Sequence, residues 1–322
     1  MASVRRLLRL RSFMFALVLV VALFVANVIA LPSFADQANW SADLTIFAPY
    51  ALLAMAATPA ILSGGGGIDL SVSPLSGLIA IVLVEYLLGS SFGGPWLAVP
   101  ILLLLGAAVG TVNGVLVAVL RYQPVIATLC ALFVLSGLNL RLVAIPTAAP
   151  PNWTSWLAGD VGPFPAVLIL ILAPAAVWAL LQRTPYHRTL LAVGASDAAS
   201  YSAGVNVTAV RISAYALGGL FAAVAGLALV VLTETADPNV AGQYVLISLA
   251  AVALGGTPIG GGRGGLFGSI LGAAMIYLVQ NLLTSTHVST LWLQAVYGAM
   301  LLGGAMLGAR LTAAPRPAGA AA

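Results

Sequence analysis

Long apolar runs separated by short polar segments cover almost the whole chain. A helix that crosses a lipid bilayer needs about 20 mostly apolar residues, and most of these runs approach that length. The pattern predicts an all-α integral membrane protein of about ten transmembrane helices, over residues 12–31, 45–62, 74–89, 96–120, 124–144, 163–181, 209–232, 243–256, 266–283 and 291–308.

The composition supports a membrane protein with no separate soluble domain. Of 322 residues, 61% are hydrophobic and only 6% are charged, against about 25% charged in soluble domains. The longest polar stretches, 145–162 and 182–208, are too short to fold alone. Residues 1–322 are therefore predicted to form a single transmembrane domain, with a disordered tail from about 311 to 322.

The arginines predict the orientation of the helices. Placing the N terminus in the cytoplasm and alternating the spans puts eleven of the twelve arginines at cytoplasmic ends, and only Arg141 near the outer end. Cytoplasmic loops of membrane proteins are rich in basic residues. Both termini are therefore predicted to lie in the cytoplasm. Because the arginines are scattered among the spans, the net charge of +4 does not indicate nucleic-acid binding.

Two glycine-rich segments interrupt the apolar pattern, SGGGGIDLSVSP at 63–74 and ALGGTPIGGGRGG at 253–265. Each is predicted to follow an inward-running helix and precede an outward-running one, which suggests a parallel internal repeat. Non-helical backbone at membrane depth is tolerated only where protein or a water-filled cavity surrounds it. Interrupted segments at matching positions of two halves point to a transport pathway. The alternative is a pair of loops that let helices pack closely.

Local signals define the first break in more detail. Ser73 can cap a helix and Pro74 can begin it, so the next helix is predicted to start there. Asp69 is expected either to accept backbone N–H bonds from the break or from the following helix start, or to cap that helix in a wet cytoplasmic loop.

The polar loop 182–208 contains a second local signal. Ser196 can cap a short helix over residues 197–203, and Gly204 can end that helix. A short helix with small residues suits docking on a cytoplasmic partner. The alternative is a surface helix without a partner.

Several kinds of chemistry find no support in the residues. The chain has no lysine and so no phosphate-binding loop, and ATP would have to be bound elsewhere. Cys130, His187 and His287 show no metal-ligand spacing, and no motif assembles a catalytic set for an intramembrane enzyme. An ion-coupled transporter needs acidic side chains inside the bundle, where only Asp69 and Glu85 could serve.

Five ordered motifs carry a resemblance to a known family: GGIDLS at 66–71, NGVLVA at 113–118, PVIATL at 124–129, the loop 197–206, and AAVALGGT at 250–257. The chain resembles permease subunits of bacterial ATP-binding-cassette (ABC) importers of the ribose, arabinose, xylose and autoinducer-2 type. The resemblance implies a plasma-membrane protein that pairs with a second permease subunit, a cytoplasmic ATPase holding ATP and Mg, and a periplasmic or lipid-anchored sugar-binding protein. The permease itself would bind no cofactor or metal.

The resemblance also assigns roles to particular residues. The expected contact with the ATPase is made by Ser196, Asp197, Ala198, Ala199 and Gly204. The expected translocation path includes Gly66, Gly67, Asp69, Ser71, Asn113, Gly255, Gly256 and Thr257.

Two departures from the family pattern leave the substrate open. Residues 245–248 read VLIS where many relatives have an acidic residue, and Pro74 stands where relatives often have glycine. Nucleosides or branched-chain amino acids therefore remain alternatives to a sugar, and the second permease subunit can be identical or different.

Overall fold

The computed structural model describes residues 2–286 and 291–312, so the predictions for His287 and for most of the tail lie outside the described residues. The described residues form twelve α-helices: α1 (Ala2–Ala30), α2 (Trp40–Leu62), α3 (Val72–Ile81), α4 (Pro95–Ala118), α5 (Pro124–Leu142), α6 (Leu168–Gln182), α7 (Pro185–Ala195), α8 (Asp197–Ser202), α9 (Val207–Thr233), α10 (Tyr244–Leu254), α11 (Leu266–Ser285) and α12 (Leu291–Thr312). A π-helical segment, Val82–Leu87, continues α3.

Each of the ten predicted apolar runs coincides with one of these helices. By length and composition, five helices in the described residues could cross a membrane alone: α2 with its preceding turn, α4, α5, α9 and α11. Helices α6 and α7 are bent by 84° at the break between them and make a sixth span if counted together. The all-α membrane fold is confirmed, whereas the number of ten spans stays a prediction.

Helix α9 lies at the centre of the fold and contacts α2, α3 and α4. Its closest partner is α4, because Gly106, Gly110 and Gly114 recur every four residues and share one face of that helix. A Cβ atom on Gly219 of α9 would lie 2.1 Å from the Gly106 carbonyl oxygen. Small residues let the two backbones meet directly, which is a common way to associate helices where hydrophobic driving force is weak.

Four two-residue strands join the loops at the opposite end from α8. Strand β1 (Thr147–Ala148) pairs antiparallel with β4 (Thr235–Ala236), which connects the loop after α5 to the loop after α9. Strands β2 (Asp160–Val161) and β3 (Phe164–Pro165) form a hairpin. The Trp153 indole donates to the Gly93 carbonyl at 2.8 Å, so this loop is anchored to the segment before α4.

Several helix boundaries differ from the sequence predictions, and one helix was not predicted. Helix α3 begins at Val72, with Ser71 at the capping position that was predicted for Ser73. The Ser73 hydroxyl donates to the Ala241 carbonyl instead of capping the helix. The run predicted to begin at 163 becomes helical only at Leu168, since the β2–β3 hairpin occupies the preceding residues. Helix α7 was not predicted within the loop 182–208.

Candidate functional site

The first glycine break covers residues 63–71, between α2 and α3. Gly64, Gly65 and Gly66 have φ angles of +72°, +63° and +73°, a left-handed conformation that costs a residue with a Cβ about 1–2 kcal/mol. The Gly67 N–H donates to the Gly64 carbonyl at 3.0 Å and closes a turn. The run of glycines therefore lets the chain turn sharply between two helices that contain mostly buried residues.

Asp69 anchors this break through a chain of hydrogen bonds. Its carboxylate accepts the Ser71 N–H at 2.9 Å and the Ser71 hydroxyl at 2.6 Å. The Ser71 hydroxyl oxygen accepts the Asn113 side-chain amide of α4 at 2.6 Å, and all three residues are buried. The predicted bond from the following helix start is confirmed, and the alternative of a wet loop is wrong because Asp69 is only 2% exposed.

The second break covers residues 255–265, between α10 and α11. Thr257 is buried, and its hydroxyl oxygen accepts the Gly265 N–H at 3.2 Å, which closes the loop. Gly255 packs on the next helix, because a Cβ there would lie 2.2 Å from the Gly268 carbonyl oxygen. Left-handed φ angles occur at Gly256, Gly261, Gly262 and Gly264.

The two breaks contact each other, which the sequence did not predict. The Gly262 N–H donates to the Leu62 carbonyl at 3.2 Å, and a Cβ on Gly261 would lie 2.6 Å from the Gly64 Cα. Gly194, near the end of α7, joins them, because a Cβ there would lie 2.0 Å from the Leu62 oxygen and 2.6 Å from the Gly262 nitrogen. We call Gly64, Gly194, Gly261 and Gly262 the glycine junction.

The short helix α8 follows directly after this junction. The Ser196 hydroxyl accepts the Ala199 N–H at 3.3 Å and caps the helix, and Gly204 ends it with a φ angle of +81°. Both predicted ends of the helix are confirmed. Ala198 and Ala199 are exposed, and Tyr201 has 77% of its surface exposed. Helix α8 thus presents an open face with one large aromatic side chain.

Asp197, in the first turn of α8, forms an ion pair with Arg211 of α9. The Arg211 Nη2 atom lies 2.7 Å from one carboxylate oxygen and 2.6 Å from the other. The same nitrogen lies against the first break, because a Cβ on Gly65 would be 2.3 Å from it. Sequence reasoning used Arg211 only to orient the helices, since residues 14 positions apart give no pairing signal.

Comparison with known proteins identifies the family. Residues 39–305 match a family model described as "Branched-chain amino acid transport system / permease component". The chain belongs to this family of permease components. No solved structure matches it.

Individual relatives of the permease cover nearly all of its length. The ribose import permease protein of Haemophilus influenzae is 31% identical, covering 89% of this chain and 88% of its own. The ribose import permease protein of Bacillus subtilis is 32% identical, covering 91% and 90%. The fructose import permease protein of Rhizobium meliloti is 30% identical, covering 89% and 82%.

The structure gathers only some of the predicted path residues of the permease. Asp69, Ser71 and Asn113 form one hydrogen-bonded cluster, but the second break reaches the first through Gly261 and Gly262 rather than through Gly255, Gly256 and Thr257. Two buried polar residues of α5 that sequence reasoning missed also hold the region. Thr128 donates to the Ile68 carbonyl at 3.1 Å, and Asn139 donates to the Pro74 carbonyl at 3.0 Å.

We expect Asp69→Ala to destabilise the permease by about 1–3 kcal/mol, because the buried N–H and hydroxyl of Ser71 lose their acceptor. Asp69→Asn keeps one acceptor oxygen and should lie between Asp69→Ala and the wild type. Thermal unfolding in detergent measures the difference. Asp36→Ala is the matched control, since Asp36 is exposed. Equal melting temperatures for Asp69→Ala and Asp36→Ala would contradict the anchoring role.

Proposed function

We propose that the chain is the transmembrane permease subunit of an ABC importer that carries a monosaccharide. The observation that carries this proposal is the similarity, over about nine-tenths of the chain, to import permease proteins named for ribose, and almost as fully to one named for fructose. The five motifs that carry the family resemblance of this chain include residues of both glycine breaks and of the loop around α8. A binding protein outside the membrane delivers the sugar, and a separate cytoplasmic ATPase supplies the energy.

A branched-chain amino acid is the second candidate substrate, because the family description names that class. The relatives named above are similar over about nine-tenths of the chain and carry sugar names, which favours a sugar. An ion-coupled transporter is disfavoured. Of the chain's eight Asp and Glu residues, all of which the structure describes, only Asp69 is buried, and it already accepts two hydrogen bonds. Glu85 is exposed and contacts Thr147 near the strands.

The translocation path runs past the first break in this proposal. Gly65 and Gly66 are exposed while their neighbours are buried, and a Cβ on Gly66 would meet nothing within 4 Å. The break is therefore open at Gly66. The cluster of Asp69, Ser71 and Asn113 holds the other end of the break against α4. Gly67, Gly255, Gly256 and Thr257 complete the proposed path.

Helix α8 is the surface on which the ATPase rests in this proposal. Its exposed residues Ala198, Ala199 and Tyr201 offer a shallow face of small side chains around one aromatic ring. ATP and Mg bind to the ATPase and not to the permease. Ten spans in the plasma membrane, with both termini and α8 in the cytoplasm, put this face where the ATPase is found. A second permease subunit, identical or different, completes the pathway.

Deleting the gene in its native cells tests the substrate class. We expect the deletion to abolish high-affinity uptake of one of three labelled sugars, D-ribose, D-fructose or D-galactose, and a plasmid copy to restore it. Labelled L-leucine is the comparison substrate, and its uptake should not change. Loss of leucine uptake with unchanged uptake of all three sugars would replace the sugar with an amino acid.

Single cysteines test the topology in a Cys130→Ala background. Trp156 and Tyr201 are both well exposed, on the outer loop and on α8 respectively. We expect an impermeant maleimide to label Trp156→Cys, but not Tyr201→Cys, on intact spheroplasts, and to label both after lysis. Labelling of Tyr201→Cys before lysis would contradict a cytoplasmic α8.

We expect Gly204→Val to reduce sugar uptake at least tenfold while the permease still inserts into the membrane. Gly204 has φ +81° with nothing within 4 Å of a Cβ, so the substitution adds backbone strain of about 1–2 kcal/mol without a clash. The strain changes the end of α8 and weakens association with the ATPase, which copurification on a tagged permease measures. Gly162→Val is the control, because Gly162 has φ +63° and an equally open Cβ position in the outer loop. Equal copurification in both variants would remove α8 as the docking surface.

A further inference from the structure

Arg211 touches two parts of the permease that must move together if α8 drives transport. Its Nη2 atom is within 2.7 Å of both carboxylate oxygens of Asp197, the first residue of α8. That nitrogen also fills the space where a Gly65 side chain would be, 2.3 Å from an ideal Cβ position. One atom therefore joins the start of the proposed docking helix to the first break.

The ion pair contributes too little energy to be a device for stability. The Asp197 side chain is 45% exposed and the Arg211 side chain is 16% exposed, and ion pairs that are open to solvent contribute little to stability. The short distances nevertheless define a position. The guanidinium group is planar and holds its N–H donors in a fixed arrangement, so its contacts define a geometry as well as a charge.

Backbone on both sides of the ion pair connects α8 to the rest of the fold. Arg211 is in the second turn of α9, whose residues from Tyr215 onward are mostly buried at the centre of the fold. On the other side of α8, Gly194 contacts both breaks at the glycine junction. Helix α8 is thus connected to the first break in two ways. Asp197, its first residue, is connected through the Arg211 side chain. The residues that precede α8 are connected through the backbone contacts of Gly194.

We propose that Arg211 is a positioning residue that transmits displacement of α8 to Gly65 and so sets the conformation of the first break. This inference rests on the proposed function, in which α8 receives the ATPase. The guanidinium contacts the break directly, and its ion pair with Asp197 makes it move together with α8.

Paired glycine substitutions test the contact. Gly65 and Gly66 have φ angles of +63° and +73°, so an alanine at either position carries similar strain, but only Gly65→Ala adds a Cβ against Arg211. We expect Gly65→Ala to reduce sugar uptake at least fivefold more than Gly66→Ala does. In an Arg211→Ala background the two substitutions should reduce uptake by the same factor, because the clash is gone. A difference that persists without the guanidinium would overturn the proposal.

Arginine substitutions test whether the role is transmission or mere attachment. Arg211→Ala should lower uptake at least tenfold, while the ATPase still copurifies and the purified complex keeps its basal ATP hydrolysis. Arg211→Lys should recover at least a third of the uptake. Arg188→Ala is the control, because Arg188 is exposed on α7 and forms no ion pair within the part of the chain that the structure describes.

Two results would overturn the role of Arg211. Wild-type uptake in Arg211→Ala would show that no displacement passes through this side chain. Loss of ATPase copurification in Arg211→Ala would show that the pair only holds α8 in place for docking. Both are read against the wild-type plasmid in the same deletion strain. If the wild-type gene restores no sugar uptake, the proposed function fails instead, whatever Arg211 does.

Discussion

Buried backbone that leaves a helix must find its hydrogen-bond partners within the protein, because an unpaired buried N–H or C=O group is costly. The two glycine breaks meet this requirement partly by contacting each other, as in the bond from the Gly262 N–H to the Leu62 carbonyl. The contact needs backbones that approach within the space a side chain would fill, which explains glycine at 64, 194, 261 and 262. The position of each break, and of α7 beside them, follows from this arrangement.

The same closeness makes the region sensitive to movement. Interiors packed this tightly repack between discrete arrangements rather than deform continuously. At Gly194 of α7 there is no side chain between the backbone and the two breaks, since a Cβ there would lie 2.0 Å from the Leu62 oxygen and 2.6 Å from the Gly262 nitrogen. The cluster of Asp69, Ser71 and Asn113 gives the first break a fixed end on α4. Arg211 fills the space beside Gly65, while the space beside Gly66 is open.

Membership of the permease family and the geometry answer different questions. The family match and the named relatives indicate that the chain is a permease component, but they do not say which contacts connect its parts. The structure shows those contacts within the described residues. Ile247 and Ser248, in the VLIS stretch that departs from the expected pattern, are buried, and the Ser248 hydroxyl donates within its own helix at 3.0 Å. That position is therefore used for packing in this chain.

The sequence by itself determined the helices of the ten apolar runs, both breaks and the two ends of α8. Apolar runs, glycine clusters and the Ser196 and Gly204 caps are local signals, and each acts within a few residues of its own position. It did not determine that the breaks touch, that Arg211 pairs with Asp197, or that Thr128 and Asn139 support the backbone around α3. Those contacts join residues between 14 and about 200 positions apart. The sequence around a residue gives no signal of which distant partner it contacts. Only the packing of α4, α5, α7 and α9 around the breaks decided them, because the partners are chosen by which backbones can approach most closely.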